Sequence, residues 1–220
     1  YSLVSQLLDF RKTETKILKL NLETTSINTL ISDTLIRFRP AMEHLGLQVD
    51  LSLPEKPVLA SIDKEAIIKV LSNLFTNATK FAKSYIHISL TQNDEYHYIE
   101  IRVNNDGEKI PPEYREKIFE AFFQIHRTEN NNHFGSGLGL SLAHSLIELH
   151  KGRIFVDEKA QDTSFVVQIP VGEQTQQLAA HTDTQLEKEA ESNGQHSDNK
   201  TENTYSILIA EDNEELLNFI

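Results

Sequence analysis

Three glycines at alternate positions, in Gly135-Ser136-Gly137-Leu138-Gly139-Leu140, stand directly before an apolar stretch of helical spacing, residues 138–150. Glycines there let the backbone approach a ligand that side chains would hold away. They do so at a helix start, where free N–H groups and the helix dipole favour an anion. Alone, the hexapeptide fits any tight turn. Two upstream segments narrow it. Asn73-Leu74-Phe75-Thr76-Asn77-Ala78-Thr79-Lys80-Phe81 has the spacing of a helix with an amide edge, and Asn105-Asp106-Gly107-Glu108-Lys109-Ile110-Pro111 has that of a strand end running into an Asp-Gly turn.

Periodicity supplies the frame around these segments. Leu3, Val4, Leu7, Leu8 and Phe10 fit a short amphipathic helix over residues 1–14, and residues 16–23 alternate as a strand, with Ile17 and Leu20 or Leu18 and Leu22 inward. Thr24, Thr25 or Ser26 then caps a helix whose stripe is Ile27, Leu30, Ile31, Leu35, Phe38, Met42 and Leu45, closed by Gly46. Strands are expected over 47–53 and 58–62, with a turn at 54–57 between them. Asp63 caps the next helix, which turns Ile67, Val70, Leu71, Leu74, Ala78 and Phe81 inward. Residues 85–92 and 96–104 form an antiparallel pair. Pro111 and Pro112 open a short helix to Ala121, and strands at 153–157 and 164–169 complete the sheet. The expected fold is an α/β (α+β) two-layer sandwich: a mixed, mostly antiparallel sheet with helices on one face.

On a helical wheel at about 100° per residue, Asn73, Asn77 and Lys80 fall within about 60° of one another, beside the apolar arc. One face of that helix packs on the sheet while its edge presents two amides and an ammonium. Amide oxygens are neutral hard ligands suited to a Mg²⁺ that also binds phosphates. Taken in order, the amide helix, the Asp-Gly turn and the glycine run resemble the ATP-binding domain of sensor histidine kinases, the Bergerat or GHKL fold, over about residues 3–170. The resemblance implies ATP and Mg²⁺ as ligands, Asn77 on the metal and Lys80 on phosphate. Gly135, Gly137, Leu138, Gly139 and Leu140 become the lid glycines and their neighbours, with Ile110, Phe119 and Thr163 as further lining. The family's adenine-reading Asp falls on Asn105, and a one-residue shift would make Asp106 the reader. Lys109 takes the place of a second glycine after Gly107. Arg127, in the polar stretch 125–134, is either a phosphate contact or a solvated loop residue. Asn73 occupies a position where hydrolytic relatives carry Glu, and an amide cannot take a proton, which favours phosphoryl transfer over water attack.

Composition trims the alternatives. The net charge of −12 argues against a nucleic-acid partner, and the lack of cysteine removes thiol catalysis and thiolate zinc sites. No run of about 18 apolar residues marks a membrane span. After Pro170 the chain turns polar: residues 172–204 are expected to be a flexible acidic linker, or else a charged surface helix. Tyr205-Ser206-Ile207-Leu208-Ile209-Ala210-Glu211-Asp212-Asn213 resembles the first strand of a receiver domain, with Glu211 and Asp212 as Mg²⁺ ligands there.

The expected division is residues 1–14 as the end of a dimerisation-hairpin helix, 15–171 as the ATP-binding domain, 172–204 as linker and 205–220 as a truncated receiver start. No histidine sits in the family's acceptor context, so the acceptor histidine and its acidic base are expected before Tyr1. The resemblance implies a hybrid sensor kinase, a homodimer that phosphorylates its own hairpin and relays to its own receiver from the cytoplasmic side of a membrane. The alternative is a pseudo-kinase scaffold with a degenerate nucleotide site.

Overall fold

The computed structural model describes residues 7–8, 11, 19–93, 95, 97–125 and 136–171. The chain divides into two units, Tyr1–Thr182 and Asp183–Ile220, and every element below belongs to the first. The expected linker and receiver start, with Glu211 and Asp212, lie outside the described residues, as do Arg127 and Gly135.

Strand β1 (Glu23–Ser26) pairs antiparallel with β3 (Leu59–Ile62). Of the strand expected over 16–23, residues 16–18 lie outside the described residues, 19–22 are not strand, and pairing begins at Glu23 and runs through the β-branched pair Thr24-Thr25, which suits extended pairing. Residues 19–22 carry no regular structure, Leu22 is 55% exposed, and the N–H of Asn21 donates to Asp63 Oδ2 at 2.9 Å.

Ser26 is the cap among the three candidates: its Oγ accepts from Thr29 N–H at 3.4 Å and opens α1 (Ile27–Ile36). The single helix expected to Leu45 is broken at Arg37-Phe38, and α2 (Arg39–His44) follows. A continuous helix would need an N–H from Pro40 to meet the carbonyl of Ile36. Proline has none, so it sits in the first turn of α2, where no intrahelical partner is required. Gly46, at φ +70°, ends α2 as expected.

Helix α3 (Lys64–Phe81) is capped by Asp63, whose Oδ1 accepts from Ala66 N–H at 3.0 Å. It buries Ala66, Ile67, Val70, Leu71, Leu74, Phe75 and Ala78. Phe81, expected inward, is 49% exposed because the helix and the core beneath it end together.

The main sheet has the order β2-β4-β5-β7-β6. Strand β2 (Gln48–Ser52) runs parallel to β4 (Tyr85–Asn93), while β5 (Tyr98–Asn105), β7 (Thr163–Pro170) and β6 (Arg153–Val156) continue antiparallel. The fold is thus α+β with a mixed, mostly antiparallel sheet. His97, at φ 51°, turns the chain so that β5 starts at Tyr98 rather than at 96.

Rows Ile86, Ile88, Leu90 and Ile99, Ile101, Val103 are buried in the core shared with α1, α3 and α4 (Gly139–Leu149). At one end these rows stop in the polar pair Asn105 and Thr163, which lie opposite each other. Residues of alternate parity are paired with one another: Arg102 donates to Glu100 and Asp157 at 2.6 Å each, and Gln168 donates to Glu100 at 2.5 Å. Between β5 and α4 the expected short helix is two 3₁₀ turns, Pro112–Tyr114 and Lys117–Phe119.

His150 is buried and joins two helices. Its Nδ1 donates to Leu146 O at 2.7 Å, which leaves Nε2 to accept from Asp63 N–H at 3.0 Å. The end of α4 is thereby fixed to the start of α3. His150→Ala leaves the part-buried Asp63 N–H without its acceptor and should lower stability by about 1–3 kcal/mol, read as a lower urea midpoint at unchanged slope. An unchanged midpoint would show that the bond contributes nothing.

Candidate functional site

The three sequence segments meet at one end of the sheet. A Cβ added to Gly139 would stand 2.7 Å from Asn73 Oδ1, so the amide of α3 lies directly against the first residue of α4. A Cβ added to Gly107 would meet Phe81 O and stand 2.5 Å from Asn105 Nδ2, so the strand-end turn lies against the last residue of α3. Both glycines are required by close approach, not by backbone angle. Gly137 differs: its φ is +71°, and a Cβ there would lie 2.7 Å from the backbone of Phe122. The carbonyl of Gly137 accepts from Phe122 N–H at 3.0 Å, and Phe122 itself has φ 64°. That pairing joins the two ends of the stretch that contains 126–135.

Along the edge of α3, Asn73, Asn77 and Lys80 are half-buried, as the wheel requires. Burial lowers the pKa of Lys80, whose Nζ lies 4.9 Å from the centroid of the Phe81 ring. At the start of α4, Leu138 is buried and its N–H donates to Ser136 Oγ at 3.2 Å. Gly139, Leu140 and Ser141 occupy the first helical turn, where N–H groups have no intrahelical acceptor.

Several expected lining residues have other work. Phe119 packs against the rings of His144 and Phe165, at centroid distances of 5.6 and 6.5 Å, and Ile110 rests on the core. The hydroxyl of Thr163 donates to Glu108 O at 3.2 Å. Lys109, in place of a glycine, is not among the residues of positive φ, and its Nζ donates to Ala160 O at 3.3 Å. The turn is therefore tethered at two points, to the start of β7 and to the loop before it.

Asp106, the alternative base reader, is committed elsewhere. One oxygen accepts from the N–H groups of Lys83, Ser84 and Tyr85 at 2.8, 3.0 and 3.2 Å. The other accepts from the Ser84 hydroxyl at 2.5 Å. Asp106 thus anchors the turn between α3 and β4. Asn105 remains, 2% exposed, with its Nδ2 lacking a hydrogen-bond partner among the described residues.

Residues 62–173 match the family described as histidine kinase-, DNA gyrase B- and HSP90-like ATPases, which is half of the chain. The chain belongs to this ATPase family. It is 29% identical over 175 residues to the sensor histidine kinase WalK of Bacillus subtilis, covering 78% of this chain and 28% of WalK, so it spans well under half of that relative. Among solved structures, the nucleotide-free catalytic domain of histidine kinase ThkA is 26% identical with a TM-score of 0.62, covering 71% of this chain and 99% of that domain. Full-length ShkA, in complex with AMPPNP, shares the fold at 23% identity and a TM-score of 0.66, covering 77% of this chain and 35% of ShkA.

The ATPase-family site fits its expected ligands by chemistry. A buried amide without a partner suits the polar edge of a base, and the uncapped first turn of α4 suits phosphate. Among the described residues no group of three or more His, Asp or Glu side chains could hold a metal. A Mg²⁺ at Asn77 would therefore take most of its ligands from phosphates and water.

Sequence reasoning missed Phe81, Asp106 and His150 as parts of the site's construction. The available signal for Phe81 was its place in the last turn, one helical turn beyond Asn77.

Burial pushes the Asp106 carboxyl up, but the Ser84 hydroxyl and the N–H groups of Ser84, Lys83 and Tyr85 outweigh it and hold the acid well below the usual carboxylate range. Such a group stabilises the fold above its unfolded pKa of 3.8, and the contribution is lost as pH falls below that value. Asp106→Asn should thus be less stable than wild type at neutral pH, with the gap shrinking from about pH 5 toward pH 2. A gap independent of pH in urea titrations would contradict the anchoring role.

Proposed function

We propose that this domain binds ATP with Mg²⁺ and donates the γ-phosphoryl group to a histidine on a dimerisation hairpin of its parent protein. The observation that carries the proposal is the close approach of Asn73 to Gly139 and of Phe81 to Gly107, which brings the α3 edge beside the start of α4 and beside the turn after Asn105. AMPPNP in ShkA and the naming of WalK as a sensor histidine kinase support it.

In this scheme Asn105 reads the base and Phe81 offers its exposed ring to the base face. Asn77 and Lys80 face the phosphates, and the N–H groups of Gly139 and Leu140 hold phosphate oxygens. Mg²⁺, when bound, neutralises phosphate charge. Catalysis by these residues is positioning and charge stabilisation. Asn73 cannot act as a base, so the site holds the phosphoryl donor without a group at that position to activate water. Arg127 and Gly135 would complete the lid.

The parent is proposed to be a hybrid kinase, acting as a homodimer on the cytoplasmic side of a membrane, whose receiver begins near Tyr205 and takes the phosphoryl group after the histidine. The support is the apolar run ending in Glu211 and Asp212. No described helix is long and apolar enough to cross a membrane.

Calorimetry with a non-hydrolysable ATP analogue tests the site. Asn77→Ala should weaken Mg²⁺-dependent binding by about tenfold or more, ~1.4 kcal/mol, and Lys80→Ala by less. Equal affinities for wild type and Asn77→Ala would remove the metal-ligand role, and no binding by wild type would favour a scaffold instead. With labelled ATP, the 220-residue chain should acquire no histidine label until a dimerisation hairpin bearing its own histidine is added. Label on this chain's own histidines would contradict the assignment of the acceptor.

A further inference from the structure

We infer that Asn105 makes the base pocket accept 6-oxopurine nucleotides as well as 6-aminopurine ones, a specificity that rests on the nucleotide-binding reading. Asn105 ends the inward row of β5 after Ile99, Ile101 and Val103, and only 2% of it is exposed. Its Nδ2 has no hydrogen-bond partner among the described residues. Leaving a buried amino group unpaired is unfavourable, so turning the amide to present Nδ2 to a ligand gains a bond.

The surroundings indicate the shape of that ligand. Gly107 lets the turn pack closely against Nδ2, since a Cβ there would stand 2.5 Å away. The exposed ring of Phe81 lies on the residue whose carbonyl borders Gly107. A buried amide at the end of an apolar strand row suits a planar heterocycle with a polar edge. Thr163, the cross-strand neighbour, already gives its hydroxyl hydrogen to Glu108 O, and Asp106 is held by residues 83–85. The amide of Asn105 is left as the group that sets the polarity of this edge.

A carboxylate at this position has only lone pairs and reads an amine. A primary amide has both a carbonyl oxygen and an NH₂ group. With Nδ2 unpartnered, turning the amide over breaks no bond made by its amino group. With Oδ1 toward the ligand, it accepts from a 6-amino group. Turned over, Nδ2 donates to a 6-oxo group.

The test is calorimetry on the 220-residue chain with the Mg²⁺ complexes of ATP, inosine triphosphate and purine riboside triphosphate, which differ at position 6 of the base. ATP and inosine triphosphate should bind within about tenfold of each other, and purine riboside triphosphate about tenfold or more weakly, because it leaves the amide unpaired. Asn105→Asp should then raise the preference for ATP over inosine triphosphate by about 10- to 100-fold.

The inference is overturned if wild type prefers ATP as strongly as Asn105→Asp does, or if all three ligands bind equally. Should the variant fail to fold, a wild-type preference for ATP above about 100-fold overturns it on its own. Binding of ATP without inosine triphosphate removes this inference and leaves the proposed function standing. Binding of none of the three removes both.

Discussion

Helix α3 cannot rotate. Ile67, Leu71, Leu74 and Phe75 have no exposed surface, and Ala66, Val70 and Ala78 complete the same face. Turning the helix to bury Asn77 or Lys80 would expose several of these side chains, at about 1.5–3 kcal/mol for each large one. The amide edge is therefore held at the cleft by packing that makes no contact with a ligand. Its two ends are fixed as well, by Asp63 and His150 at the start and by the turn anchored on Asp106 at the finish. The polar edge of α3 is thus oriented by the apolar core and by hydrogen bonds at both ends of the helix.

Two kinds of close approach then assemble the remaining parts. Gly107 and Gly139 lie where any side chain would collide with Phe81 or Asn73, while Gly137 combines a left-handed backbone with contact against Phe122. The glycines therefore do more than admit phosphate. They allow the turn after β5 to meet the end of α3, and the start of α4 to meet Asn73. Lys109 shows how much departure the turn tolerates: its backbone keeps an ordinary φ and its ammonium adds a tether to Ala160.

Most of this was legible from residue types and periods. The apolar stripe of α3, its Asp63 cap and the amide edge follow from a 3.6-residue period, and the alternation of β4 and β5 follows from a two-residue one. What escaped depended on partners distant in sequence. Alternation in 16–23 suggested a strand, yet the available edge of β3 pairs with Glu23–Ser26. Pro40 could have predicted the break between α1 and α2, because its missing N–H falls opposite Ile36. The role of Asp106 was hidden because its partners are backbone N–H groups of residues 83–85, which no side-chain pattern encodes.

The central proposal is that the packing of α3 and the end of β5 direct Asn73, Asn77 and Asn105 to one bound nucleotide. Side-chain amide spectra, recorded while Mg²⁺ and a non-hydrolysable ATP analogue are added, test it most directly. The account predicts that the amides of these three asparagines and the backbone N–H groups of Gly139 and Leu140 shift together at one affinity, while Asn104, whose side chain alternates with Asn105 along β5, stays fixed. Shifts confined to Asn104 and its strand neighbours, or different affinities for the three asparagines, would contradict it.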